Sequence, residues 1–168
     1  QQILIAAGET LKLQQEQIVQ NGHAIEARIY AEDPDQDFIP SPGTILFLAE
    51  PSGPGIRVDS GIYQGWTVPP HYDPILSKLI VWADIRRISI ARMSQALKDY
   101  VILGIKTDID FLKRIIQNKS FIGGHFDTHF IETNKEQLLP RYEKRDIALI
   151  AGALSLAAGG KKRTAGYF

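Results

Sequence analysis

The stretch from His23 to Glu32, HAIEARIYAE, alternates without a break. Ile25, Ala27, Ile29 and Ala31 fall on one side and Glu26, Arg28, Tyr30 and Glu32 on the other, which predicts a strand with one buried face. Further along, Ile75 to Ala83 reads ILSKLIVWA, a near-continuous apolar run expected at the centre of its sheet. Between these two lies turn-rich sequence. Asp33-Pro34, Pro40, Pro42 and Gly43 punctuate the chain before a strand expected over Thr44 to Ala49. The glycine/proline loop Pro51 to Gly55 then leads into another strand, Arg57 to Tyr63.

After Asp84 the period changes. Ile88, Ala91, Gln95/Ala96 and Leu97 to Val101 follow helical spacing, with Gly104 expected to close the helix. Thr107 and Asp108 offer an N-cap to a second helix carrying Ile109, Leu112, Ile115 and Ile116. Gly123-Gly124 precedes DTHFIE, a short element expected to pack back on the body. At the other end, Gln1 to Gly8 read as the end of a helix without an N-cap, so the natural chain is expected to begin upstream. Beyond Pro140 the pattern loosens; Ile147 to Ala158 suits a helix, and GGKKRTAGYF is linker-like. Strands first and helices after them argue for an α+β fold over a doubly wound sheet.

Composition narrows the function classes. The 168 residues suit one domain with a tail, and 19 basic against 19 acidic residues leave no electrostatic footprint for nucleic acid or an anionic membrane. Cysteine is absent, which removes disulfides, thiolate metal sites and cysteine nucleophiles together. Ile147 to Ala158 is too short to span a bilayer core of roughly 30 Å. The chain reads as cytoplasmic, or as mitochondrial matrix in a eukaryote. Neither a phosphate-binding glycine loop nor a dinucleotide fingerprint occurs. His125 and His129 would share a face on a helix, but Gly123-Gly124 argue against a helix there and no third ligand is placed, so no metal site is expected. Arg28 admits two readings. It belongs either to a solvated face with an ion pair, or to an anion site in which a guanidinium on a rigid strand offers a fixed fork to a planar oxyanion.

Longer segments go further. GHAIEARIYAEDP, then PSPGTILFLAEPSGPGIRVDSGIYQGWTVPPHYDPILSKLIVWA, then IARMSQALKDYVILGIKTDIDFLKRII and DTHFIE resemble, in order and spacing, the C-terminal domain of biotin carboxylase. The resemblance runs to about Leu139, which sets expected boundaries of 1–139 for this domain and 140–168 for a tail or linker. RIYAEDP, GIRVDSG and YDPILSKLIVWA lean towards acyl-CoA carboxylase alpha-type subunits or pyruvate carboxylase. The implied fold is an antiparallel, half-barrel-like sheet with helices packed on it.

The resemblance implies a ligase that uses MgATP and bicarbonate to carboxylate biotin held on a carrier. ATP and Mg2+ would be bound mainly by an ATP-grasp domain and an N-terminal domain outside this chain, so the fragment alone is expected to be inactive. A biotin carboxyl carrier domain and a carboxyltransferase are the further partners implied, with a homodimer as the assembly. Arg28 is the implied catalytic residue, contacting bicarbonate and the biotin ureido oxygen. Asp73 matches an acidic position near that arginine, and strand parity adds Glu26 as a second orienting carboxylate. Arg57 falls in the dimer-facing segment, where Gly53-Pro54-Gly55 lacks the aromatic of some members. The alternative expectation is a non-catalytic scaffold or subunit-interaction module.

Overall fold

A computed structural model describes residues 1–139. The predicted helix at Ile147 to Ala158 lies outside the described residues. The alternating stretch forms an antiparallel strand, His23–Tyr30, and the apolar run forms Ile75–Ala83 beside it. Ile56–Ser60 pairs on the other side, so Ile75–Ala83 is the central strand of three.

Register decides what each face carries. Ala27, Leu79 and Val58 lie in one row across the three strands, and Ile25, Val81 and Ile56 in the next. These rows face the core, where Ile29, Leu79 and Val81 are fully buried. The alternate rows, Arg28–Lys78–Asp59 and Glu26–Ile80–Arg57, face away from it.

The buried face is covered by the helix Arg86–Asp99, whose Ser89, Met93, Ala96 and Leu97 point inward at helical spacing. Ser89 is tolerated there because its hydroxyl donates to the His23 carbonyl at 2.7 Å. A second helix, Ile109–Gln117, packs against the first and adds Ile109 and Ile116 to the same core. DTHFIE ends in the short helix Phe130–Thr133, and Phe130 joins Phe111 and Leu138 in a smaller apolar cluster.

Two expectations need correction. The helix expected to run through Val101 stops at Asp99, and Val101–Leu103 is a strand paired with Phe47–Ala49. Tyr100 makes the break: its backbone is extended, and its buried hydroxyl is 2.7 Å from Ser77 Oγ on the central strand. Gly104 therefore closes no helix. It lies at φ +106°, where a Cβ would collide with the Thr44 carbonyl, so the glycine permits close approach of two backbones. The second correction concerns Thr44 to Ala49, which is not one strand. Gly43–Thr44 pairs with Thr67–Val68, and Ile45 N–H still bonds the Trp66 carbonyl, but Leu46 N–H donates to Leu103. The segment changes partner at that point. Among the described residues the strands make one three-stranded sheet and three two-stranded pairs, without closing into a barrel.

Candidate functional site

Arg28 projects from the middle of His23–Tyr30 onto the face of the sheet opposite the core. Both neighbours in the strand, Ala27 and Ile29, are buried, which anchors its backbone although 57% of its own side chain is exposed. Its Nε donates to Glu26 Oε1 at 3.1 Å, along the same face. The bond to Glu26 first, and the Tyr30 hydroxyl second, raise the Arg28 pKa above the ordinary arginine value. The group is a cation at every pH of interest, held on a rigid strand.

The far end of that strand is fastened by a residue expected to do something else. Asp108 occupies the N-cap position of Ile109–Gln117 but makes no capping bond with its side chain. Its carboxylate instead accepts from Tyr30 N–H at 2.9 Å, just past a register shift between Ile29 and Tyr30 after which Tyr30 still pairs with Ile75. Burial pushes the Asp108 carboxyl up to about 7; the Tyr30 N–H opposes the rise and the charge of Glu32 adds to it. Glu32 is itself raised, by burial and then by Asp73.

The other sequence-derived candidates lie nearby with different partners. Asp73 Oδ1 accepts from Ile75 N–H at 3.0 Å, securing the turn into the central strand, and among the described residues no ion pair joins it to Arg28. Arg57 is exposed and engages Asp59 through two hydrogen bonds, at 2.8 and 2.7 Å. His125 and His129 sit in the loop between Lys119–Gly123 and Phe130–Thr133, not along one helix. Among the described residues no group of three or more histidine or acidic side chains is placed to hold a metal ion. Nor is any helix there long and apolar enough to cross a membrane. Register sets Lys78 directly opposite Arg28.

Comparison with known proteins settles the ancestry of this arrangement. The model of the biotin carboxylase C-terminal domain matches residues 26–133, including both sides of the Arg28–Lys78 pair. The chain belongs to that family. Biotin carboxylase of Nostoc sp. is 49% identical over 136 residues, covering 80% of this chain and 30% of the relative. The mitochondrial methylcrotonoyl-CoA carboxylase subunit alpha of Mus musculus is 39% identical over 168 residues, covering 99% of this chain and 23% of the relative. That similarity continues beyond Leu139, where the resemblance read from sequence stops. Among solved structures, the biotin carboxylase domain dimer of Hydrogenobacter thermophilus 2-oxoglutarate carboxylase, in complex with MgADP and bicarbonate, superposes with a TM-score of 0.79. It is 44% identical, covering 82% of this chain and 30% of its own. The chain thus spans under a third of the length of these relatives.

Proposed function

We propose that this chain is the C-terminal domain of a longer, ATP-dependent biotin carboxylase, within an acyl-CoA or pyruvate carboxylase, and that Arg28 is its contribution to the chemistry. The observation that carries this reading is Arg28 itself, a permanent cation held by Glu26 on a strand whose other face is locked in the core. Arg28 binds bicarbonate through its fork and stabilises the negative charge that develops as biotin loses its ureido proton. A group able to deprotonate would lose that stabilisation when it is needed, which favours arginine over lysine here. Glu26 limits the rotation of the guanidinium. Asp73 is a second orienting carboxylate in the full-length protein.

MgATP, held mainly by ATP-grasp and N-terminal domains outside this chain, would supply the activation of bicarbonate. A carrier domain presents biotin, and a carboxyltransferase receives the carboxyl group. The domain boundary falls near residue 139, with 140–168 leading towards whatever follows. The exposed Arg57–Asp59 pair faces a second copy, a reading supported by the dimeric assembly of the Hydrogenobacter relative. The enzyme works in the cytoplasm, or in the mitochondrial matrix of a eukaryote.

The test is Arg28→Gln in the full-length protein, with biotin carboxylation and thermal melting measured on the same preparation. Loss of one electrostatic donor predicts a rate lower by roughly ten- to a thousandfold. Arg28→Lys should restore little, because an ammonium presents no parallel pair of donors. An exposed side chain contributes little to folding, so the melting temperature should hold within about 2 °C. Near-normal turnover of the glutamine variant would reduce Arg28 to a surface residue and leave the domain as a scaffold.

A further inference from the structure

The strand that carries Arg28 is tied at its end by two hydrogen bonds that run in opposite directions. Tyr30 N–H donates to Asp108 Oδ1 at 2.9 Å, and Asp108 N–H donates to the Tyr30 carbonyl at 3.3 Å. The tie falls just past the register shift, where the ladder to the central strand is irregular. Tyr30 in turn reaches Arg28 with its hydroxyl, the second of the two side chains that act on the guanidinium. Asp108 is thus joined to Arg28 through a single residue.

The tie itself does not call for an acid. An asparagine would also accept from Tyr30 N–H, and the Asp108 side chain makes no capping bond to its own helix. Asp108 is 6% exposed, and among the described residues no ion pair reaches it. The charge that acts on it is another acid, Glu32, and Asp73 acts on Glu32 in turn. The other charged groups of these segments, Asp33, Asp35, Lys106, Asp110 and Arg114, line a separate cavity that Asp108 does not enter. A neutral carboxyl is accommodated here at little cost, whereas an ionised one is buried beside a second negative charge. Tyr30 N–H offsets part of that cost, but burial outweighs it. Ionisation therefore works against the tie, and protonation secures it.

We propose that Asp108 is a positioning residue controlled by a proton. Neutral, it latches the strand end and the Tyr30–Arg28 contact; ionised, it lets them loosen. This rests on the reading that Arg28 takes part in carboxylation.

The experiment follows the full-length protein and its Asp108→Asn, Glu32→Gln and Arg28→Gln variants across pH. Hydrogen exchange reports the protection of the Tyr30 amide relative to a free chain, and biotin carboxylation is measured on the same samples. The closed latch holds its proton up to about pH 7, so protection in the unaltered protein should fall roughly tenfold between about pH 6 and about pH 8, then level off. The carboxylation rate should decline over the same range. Asp108→Asn keeps the acceptor without the charge, and both declines should disappear. Glu32→Gln removes the repelling charge, so Asp108 ionises more readily and both declines should end at lower pH. An acid with a merely structural role would not respond to Glu32 in this way.

Protection that stays flat with pH in the unaltered protein, or that falls equally in Asp108→Asn, would overturn the latch. So would a carboxylation profile unchanged by Asp108→Asn while Arg28→Gln has lost turnover, since the Arg28 reading would then stand without it. Normal turnover in Arg28→Gln removes the Arg28 reading, and control of the chemistry by Asp108 with it. If Asp108→Asn fails to fold, Glu32→Gln decides, and an unmoved profile there overturns the latch.

Discussion

The two faces of the strand His23–Tyr30 differ in every respect except their backbone. One side carries Ala27 and Ile29, shut into a core with Leu79 and Val81. The other carries Glu26 and Arg28, exposed and charged, beside Lys78. Since side chains alternate with period two, the core fixes the charged face without touching it. The apolar side supplies stability, and the chemistry proposed for the charged side makes a different demand, so substitutions on the two sides should be read out by different instruments.

The largest effect expected belongs to the inner face. Leu79 is fully buried at the centre of the sheet. Leu79→Ala should cost about 2–5 kcal/mol, the range for a cavity cut in a packed core. A melting temperature lower by several degrees, with specific activity of the surviving folded protein preserved, would sharpen the separation. Loss of activity without loss of stability would break it.

A smaller effect, and one that depends on pH, is expected at the seam between the faces. Asp108 fastens the strand end through Tyr30 N–H, and its folded pKa of about 7 lies above the ordinary 3.8. The folded state therefore holds the proton more tightly than the unfolded chain. Its contribution to stability is fully present below about pH 4 and is lost as pH rises through about 7. Asp108→Asn keeps an oxygen for Tyr30 N–H and has no charge to bury. Subtracting its melting profile from that of the unaltered protein should leave a decline confined to that window. Parallel profiles would show that Asp108 titrates as an ordinary carboxylate.

The smallest effect is reserved for Glu26, on the outer face. Its ion pair is exposed, and such pairs add little to folding. Glu26→Gln should leave the melting temperature within about 2 °C and lower carboxylation only several-fold, since the amide can still accept from Arg28 Nε. A drop as large as that of Arg28→Gln would make Glu26 more than an orienting group.

How much of this was legible in the sequence varied with the range of the interaction. The strands at 23–30 and 75–83 announce themselves, because burial of one face imprints alternation on the first and a central place in the sheet leaves an apolar run in the second. The partner change between Ile45 and Leu46 leaves no such imprint, since it depends on Leu103, far along the chain. Val101–Leu103 was disguised by Ala96, Leu97 and Val101, which continue a helical spacing past the point where Tyr100 ends the helix. Asp108 read as a cap because an aspartate before a helix usually caps it; the competing demand of Tyr30 N–H arises only when the two segments meet. Arg28 could be located on the polar face by parity alone, whereas the role proposed for it came from family resemblance. That Lys78 lies directly opposite it required the register.

The central strand of the three-stranded sheet is also the last of the three to be synthesised. As the chain emerges, His23–Tyr30 and then Ile56–Ser60 appear with their common partner still unmade, and neither pairs with the other in the finished sheet. Ile75–Ala83 supplies the partner that both of them need, and the helix Arg86–Asp99, which covers the buried face, follows later still. Assembly is thus dominated by pairings between distant segments, the regime in which folding is slow and strand edges stay open longest. The row that places Arg28 beside Lys78 exists only once Ile75–Ala83 has paired with His23–Tyr30, so the charged face is laid down together with the sheet.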